Sequence, residues 1–556
     1  GGGDAAGGVT LRRLVLWLAE PMQTLKVLCI LADRGRGLKG GALAGELWKY
    51  AEHGDPFVGR TVRRVLAQVC RPLLVMLDRW LTAGELEDPF SEFFVEAKVG
   101  CPASRLWRHG YGLREPHIPP FIMPKVARLA LRTGKSINFL RHCCGDATWE
   151  GAVGIGKAGE EEALDASALE PVVRQAAQEA DRRLMEVLFG QFRFHHHCMA
   201  LKQYLLLGQG DFIQHLMDQL GPHLSQRAGT LSMYKLNSAF DSAIRASCAQ
   251  HEDPAILGHL SAHLLPHTDQ ETGWDVFSLV YTVGTPLSTV FTEETMSKYL
   301  RIFNFLWRLK RVEHALSATW QAMKPSAPSI HALLKALPGD SSRTLAVELE
   351  RCHVLRNEMS HFCTALQYYI MFEVLEDGWG GFVAQLGASA TDLDRLIEAH
   401  DDYLDTVLEK SLLGPQSQPL VRQLNEIFEL VLLFKGFANR FQEVLLQSAN
   451  RKRLLRMREQ VAEAEGKWGR REPDLPAEMD DLPPGFAENI RRELDTINRR
   501  YHSLLEGFVA LFPLVSHLDL RNLLFQLDLS EYYGSDSKAQ SGSLTPLMHL
   551  GTSLSP

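Results

Sequence analysis

Apolar residues recur with helical spacing over long parts of the chain. The segment KYLRIFNFLWRLKRVEHAL, which begins at Lys298, places apolar side chains three and four residues apart at Tyr299, Ile302, Phe303, Leu306, Leu309 and Val312. This spacing collects the side chains on one face of a helix, the face that a globular protein buries. Similar patterns run through residues 345–376, 392–413, 421–464 and 488–511. The pattern predicts an all-α fold of elongated, packed helical bundles.

One stretch alternates with a period of two instead. Within residues 274–283, Phe277, Leu279, Tyr281 and Val283 share one side of an extended chain. A turn signal at 284–286 separates this stretch from an apolar run at 287–291. We therefore predict a small β-hairpin inserted among the helices.

Two zones interrupt the helical pattern. Residues 145–168 mix Gly with an acidic run, and residues 466–485 are rich in Pro, Glu and Asp. Breaks of this kind mark linkers and loops. The predicted organisation is a first domain at 9–146, a linker at 147–172, a second domain at 173–533 that contains the hairpin, and a disordered tail at 534–556.

Composition narrows the functional class. The 556 residues are 45% hydrophobic and 23% charged, which suits a chain with a large core and excludes wholesale disorder. The net charge of -8 lacks the basic excess of a nucleic-acid binder. We find no run of about 18 apolar residues and predict no membrane span. Nine scattered cysteines are typical of reduced thiols in a cytosolic protein.

Motifs that would support catalysis are incomplete. Residues 151–158 nearly fit a phosphate-binding loop, but Ala158 stands where a magnesium-binding hydroxyl is needed. His195 with Cys198, and His259 with His263, have spacings that share a helix face, yet each pair supplies only half of a zinc site. We predict no catalytic residue, no metal and no cofactor.

Two segments are candidates for binding another protein. In LLLGQGDFI, residues 205–213, an Asp at a helix start follows two glycines, which also describes a simple helix–helix corner. Between 301 and 311, basic and aromatic side chains alternate, which predicts either a docking face for an acidic protein or an ordinary solvated face. Its members are Arg301, Phe303, Phe305, Trp307, Arg308, Lys310 and Arg311.

Several segments together resemble one family in order along the chain. They are WLTAGELEDPFSEFFVEAK (80–98), LWRHGYGLREPHIPPFI (106–122), GKSINFLRHCCGD (134–146), LLLGQGDF (205–212), GWDVFSL (273–279), YLRIFNFLWRLKRVE (299–313), NEMSHFCTALQYYIMFEVLE (357–376), AHDDYLDTVLEKSLL (399–413) and LLFQLDLSEYY (523–533). On these segments the sequence is identified as similar to the gamma-tubulin complex components, over roughly residues 9–533.

The resemblance implies two all-helical domains with different partners. The N-terminal domain, which this chain would enter part-way, packs side by side with neighbouring components, especially component 2. The C-terminal domain holds gamma-tubulin, and several such pairs template microtubule growth at a microtubule-organising centre such as a centrosome or spindle pole in the cytoplasm. GTP in that machine belongs to gamma-tubulin.

Residue roles follow from the resemblance as expectations. The gamma-tubulin side would include Gln209, Asp211, Phe212, Arg301, Phe303, Trp307, Arg308, Lys310 and Arg311. Lateral assembly would use an acidic turn and its aromatic anchors, Glu85, Leu86, Glu87, Asp88, Glu92, Phe93 and Phe94, or these residues shape only the fold. The competing readings are a generic helical tether, such as a vesicle-tethering subunit, and an enzyme with a phosphate or metal site.

Overall fold

The computed structural model describes residues 10–98, 100–146, 149, 151, 166–266, 268, 271–336, 339–388, 391–464, 485–514 and 520–527. Most of these residues are helical, and their four short strands form two antiparallel pairs, so the predicted all-α class is confirmed. The tail at 534–556 lies outside the described residues, as does nearly all of the near-phosphate loop at 151–158. Of the linker at 147–172, the described residues are 149, 151 and 166–172.

The chain divides into two compact units. Unit 1 comprises Gly1–Cys198, Val283–Glu293 and Gln385–His400, and unit 2 comprises Met199–Thr282, Glu294–Ala384 and Asp401–Pro556. Unit 1 therefore continues past residue 173, where the predicted second domain starts, and residue 173 falls inside a helix that packs on its predecessor.

The described residues of the first segment of unit 1 form seven α-helices and one strand pair. The elements are α1 Leu11–Arg34, α2 Gly40–Ala51, α3 Pro56–Thr82, β1 Val95–Ala97, α4 Leu106–His109, β2 Tyr111–Leu113, α5 Pro124–His142, α6 Ala166–Gly190 and α7 Phe194–Ala200, whose last two residues belong to unit 2. Trp80 of α3 is fully buried, and its indole Nε1–H donates to the Ala130 carbonyl at 2.8 Å. Gly134 of α5 allows this approach, because a Cβ there would lie 1.9 Å from the Trp80 ring.

A network of one arginine and two buried carboxylates connects distant segments of unit 1. Arg132 of α5 contacts the carboxylates of Asp181 and Asp392, each at 2.9 Å, and Ser136 Oγ donates to Asp181 at 3.0 Å. Burial raises the pKa of Asp181 to about 6, although Arg132 and the Ser136 hydroxyl act to lower it. The network fixes the segment that includes Asp392 to helices α5 and α6 of this unit.

Helix α1 departs from the expectation that no segment could span a membrane. It is long and apolar enough by length and composition, with an 18-residue window of mean hydropathy 1.5, and nearly all of that window is exposed. This candidate was not predicted from the sequence. Signal sequences and core helices meet the same criterion, so a single helix of this kind is weak evidence for a span.

Unit 2 is dominated by long helices. Its elements are α8 Gly210–Leu224, α9 Met233–Ala246, α10 Pro254–Leu257, β3 Leu260–Leu264, α11 Gly273–Val276, β4 Phe277–Tyr281, α12 Glu293–Ala336, α13 Gly339–Tyr368, α14 Asp377–Ala388, α15 Leu393–Leu408, α16 Gln418–Ala464, α17 Phe486–Ala510 and α18 Arg521–Leu527. The first residue of α12, the end of α14 and the start of α15 belong to unit 1. Three π-helical segments, Leu201–Leu205, Tyr369–Glu376 and Glu409–Leu413, adjoin these helices.

The long helices of unit 2 follow the sequence pattern closely. All six apolar positions predicted to face inward on α12 are buried, at no more than 2% exposure. Helix α16 packs on α17, and α13 packs on α17 and α18. The predicted helices at 345–376, 392–413, 421–464 and 488–511 are confirmed, with π-helical turns at the ends of the first two.

The small β-element of unit 2 exists, but its second strand is not the predicted one. Strand β4 pairs antiparallel with β3, in a register that sets Leu260 opposite Tyr281 and Leu264 opposite Phe277. The apolar run at 287–291 instead begins with a 3₁₀ turn at Leu287–Thr289. Leu260 and Ala262 supply the buried face of β3, an alternation too short to recognise beside the longer helical patterns.

Candidate interaction surfaces

Two cations of the predicted face on α12, Arg301 and Arg308, are exposed and form hydrogen bonds with other parts of unit 2. Arg301 Nη2 donates to the Leu413 carbonyl at 3.0 Å, and Arg308 Nη1 donates to Asn425 Oδ1 at 3.5 Å. The seven-residue separation puts both arginines on one side of the helix. They could face a partner while also bracing α12 against the start of α16.

The other two cations, Lys310 and Arg311, form ion pairs within the unit. Lys310 Nζ lies 2.8 Å from Glu313, and Arg311 Nη1 lies 3.0 Å from Asp275. The Arg311 guanidinium also lies 5.6 Å from the centre of the Trp274 ring. Burial lowers the pKa of Arg311, while Asp275 raises it. The Arg311 contacts brace α12 against α11, and the Lys310 pair lies within α12.

The aromatic members of the face form the core. Phe303 and Trp307 are buried and stack with ring centres 5.7 Å apart, and Trp307 also meets Phe277 of β4 at 5.0 Å. Phe305 is buried as well. A partner that docks on the surface of the unit does not reach these rings.

The segment at 209–212 forms a tight corner. Cys248 N–H donates to Asp211 Oδ2 at 2.7 Å, and Gln209 Nε2 donates to Asp211 Oδ1 at 2.8 Å. The Cys248 N–H is the main reason that the pKa of Asp211 falls to about 2. Phe212 is buried between Tyr204 and Phe240. The corner joins the start of α8 to the turn after α9.

The predicted lateral residues separate into a supporting set and an exposed set. The Asp88 carboxylate accepts from the backbone N–H groups of Glu92 and Phe93 at 2.8 and 3.0 Å, which fixes the turn. Phe93 and Phe94 are buried in unit 1.

The exposed set borders a shallow recess. Glu85 lies 3.9 Å from Arg141, and Glu87 pairs with Arg79. The recess next to these carboxylates is also lined by Leu86 and Tyr111. Its rim thus carries both signs of charge.

A further cationic segment lies at the end of α16, where the sequence analysis predicted only a long helix. Residues 451–458 read RKRLLRMR, and four of the five cations are exposed. The signal in the sequence was the spacing of Leu454, Met457 and Val461, which continues a helical stripe beyond the core. Among the described residues, no three His, Cys, Asp or Glu side chains lie where they could share a metal ion.

Comparison with known families gives two matches that cover almost the whole chain. The model described as gamma tubulin complex component C-terminal matches residues 194–533, and the one described as N-terminal matches residues 3–190. The chain belongs to the gamma-tubulin complex component family. The resemblance inferred from the sequence is confirmed.

Similar proteins within the gamma-tubulin complex component family include component 3 of two species. Identity is 44% to gamma-tubulin complex component 3 of Arabidopsis thaliana and 37% to that of Homo sapiens, over 94% of this chain in each case. Spindle pole body component alp6 of Schizosaccharomyces pombe is 32% identical over 97% of the chain. The chain spans 63%, 58% and 63% of these relatives, respectively.

Proposed function

We propose that this chain is a structural subunit of a gamma-tubulin complex, with gamma-tubulin bound by its C-terminal region and neighbouring components bound by its N-terminal region. The observation that carries the proposal is the ordered match of both family regions, at 3–190 and 194–533. Such subunits would form the template for microtubule nucleation at a microtubule-organising centre in the cytoplasm, with component 2 as a neighbour. The chain itself would contribute binding surfaces and no catalytic step.

The geometry supports a narrower set of gamma-tubulin contacts than the sequence suggested. Arg301 and Arg308 are exposed and lie on one side of α12, so they could steer an acidic partner. The role of the buried Phe212, Phe303 and Trp307 would then be to hold the surface in shape. Gln209 and Asp211 would fix the corner between α8 and the turn after α9.

The lateral proposal rests on the exposed part of the acidic turn. Glu85 and Glu87 are exposed at the rim of the recess, whereas Phe93 and Phe94 are buried in the core of unit 1. We expect Glu85→Lys with Glu87→Lys to weaken assembly with component 2 while capture of gamma-tubulin is retained. Equal loss of both would indicate a folding defect, and unchanged assembly would contradict the lateral role.

The test of the whole proposal is reconstitution from purified parts. The chain is mixed with gamma-tubulin, with and without component 2, and the products are followed by size-exclusion chromatography with mass measurement. We expect a saturable one-to-one complex with gamma-tubulin and larger assemblies when component 2 is added. A folded chain that binds neither protein would favour the generic tether.

A further inference from the structure

The last turns of α16 expose apolar side chains that the described residues of unit 2 do not cover. Along this helix the buried positions include Phe434, Phe441 and Leu445 and end at Ala449. Beyond that point Leu454, Met457 and Val461 are 52%, 52% and 56% exposed. We call these three residues the apolar stripe.

The apolar stripe is narrow and continuous. At about 100° per residue, its members at i, i+3 and i+7 fall within a sector of about 60°. Side chains at this spacing are the anchors by which an amphipathic helix enters a groove on another protein. A grouped set of exposed apolar side chains is a mark of an interaction site, unlike a single exposed leucine.

Cations flank the apolar stripe on both sides. On the same helical geometry, Arg453 lies about 40° from Met457 on one side, and Arg458 lies about 40° from Leu454 on the other. We call the five cations Arg451, Lys452, Arg453, Arg456 and Arg458 the basic ridge. None of the side chains that the structure describes forms an ion pair with the basic ridge.

We propose that the end of α16 docks as a helix into an acidic, apolar-floored groove of a partner protein, and that this partner is gamma-tubulin. The identity of the partner rests on the proposed function, since the segment lies inside the match to the family's C-terminal region. Complementary charge would orient the encounter, and insertion of the apolar stripe would hold the complex.

The shape of the segment favours a protein over the other anionic partners. A helix that lies in a lipid surface presents a wide apolar face, commonly with Trp or Phe, whereas this one presents three aliphatic side chains between arginines. Nucleic acid would engage the basic ridge through phosphates and leave the apolar stripe without a function. A protein groove with an apolar floor and acidic walls would contact both the apolar stripe and the basic ridge.

The experiment compares two double variants of the full chain for binding to purified gamma-tubulin. Arg453→Glu with Arg458→Glu removes the flanking charge, and Leu454→Ser with Met457→Ser removes the apolar anchors. We expect each to raise the Kd by about tenfold or more. The charge variant should lose most of the salt dependence measured between about 0.05 M and about 0.15 M salt, and the anchor variant should keep it.

Two controls make the same chemical changes elsewhere in unit 2. Lys235→Glu with Arg245→Glu reverses two exposed cations on α9, and Val347→Ser with Val354→Ser removes two exposed apolar side chains on α13. We expect both controls to bind as the unmodified chain does. Circular dichroism of every variant separates lost binding from lost folding.

The outcomes distinguish this inference from the proposed function. If the unmodified chain fails to bind gamma-tubulin, the proposed function fails. If it binds, and the charge variant and the anchor variant bind as tightly as the unmodified chain does, the docking site is wrong and the function stands. Unchanged gamma-tubulin binding with lost binding to phosphatidylserine vesicles or to duplex DNA would also overturn the site, in favour of a membrane or a nucleic acid.

Discussion

Two helices of unit 2 carry clusters of cations and use them differently. On α12, Lys310 and Arg311 are paired with carboxylates, and Arg301 and Arg308 reach the Leu413 carbonyl and Asn425. At the end of α16, three of the five cations of the basic ridge, Arg451, Arg453 and Arg458, flank the exposed apolar stripe. The first cluster ties elements of the unit together, and we propose that the second binds another molecule.

The difference comes from where each segment lies along its helix bundle. The α12 cluster is surrounded by β4, α11 and the start of α16, so its long side chains find acceptors within reach. The basic ridge begins 26 residues after Asn425, about 39 Å along α16. Both segments are rich in cations, so the neighbours decide what those cations bond to.

The largest expected effect concerns the aromatic part of the α12 cluster. Trp307→Ala should lower the free energy of unfolding by about 3–5 kcal/mol, because it empties a buried position between Phe303 and Phe277. Urea denaturation measures the loss, and Trp307→Phe should cost less. A Trp307→Ala chain of normal stability that no longer binds gamma-tubulin would contradict the core assignment.

The second prediction makes one substitution in each cluster. Arg311→Met should lower the free energy of unfolding by about 1–3 kcal/mol, because it leaves Asp275 without its ion-pair partner. Arg453→Met should change it by no more than about 0.5 kcal/mol. The same denaturation assay compares them, and equal losses would show that the basic ridge also braces the fold.

The helical architecture was accessible from sequence because periodicity records burial directly. Tyr299, Ile302 and Phe303 were predicted to face inward on α12, and they do. The strand at Phe277–Tyr281 was also predicted, but its partner was not, since pairing between β3 and β4 depends on contacts across an intervening helix.

The candidate site was harder to predict because the same residues served two interpretations. Phe303 belonged both to the buried stripe and to the supposed docking face, and only packing decides between them. A helical projection would have separated the cations, since Lys310 lies about 180° from Arg301. The basic ridge could have been found by asking which apolar stripe continues past the end of a bundle.

The third prediction concerns the corner at Asp211. Asp211→Ala should lower the free energy of unfolding near neutral pH by about 1–2 kcal/mol, because the Cys248 N–H loses its acceptor. The folded-state pKa, about 2, lies below the ordinary value of about 3.9. The stabilisation is therefore present above about pH 4 and lost as pH falls toward 2. Denaturation at several pH values measures whether the free energies of unfolding of the unmodified chain and the Asp211→Ala chain converge at low pH. A difference that stays constant with pH would contradict the Cys248–Asp211 hydrogen bond as its origin.

The smallest expected effect returns to two cations on opposite sides of α12. Arg308→Glu with Lys310→Glu should change the free energy of unfolding by less than about 1 kcal/mol, because the broken contacts are near the surface. Gamma-tubulin binding should weaken by about threefold, less than for the basic ridge, since Arg308 already bonds Asn425 and Lys310 already pairs with Glu313. Titration with gamma-tubulin at two salt concentrations measures the binding of this variant and of Arg453→Glu with Arg458→Glu. The double variant Lys235→Glu with Arg245→Glu is the matched control. A loss larger than that of the basic ridge would reverse the comparison, because it would assign the principal docking charge to α12 and leave the end of α16 as a minor contact.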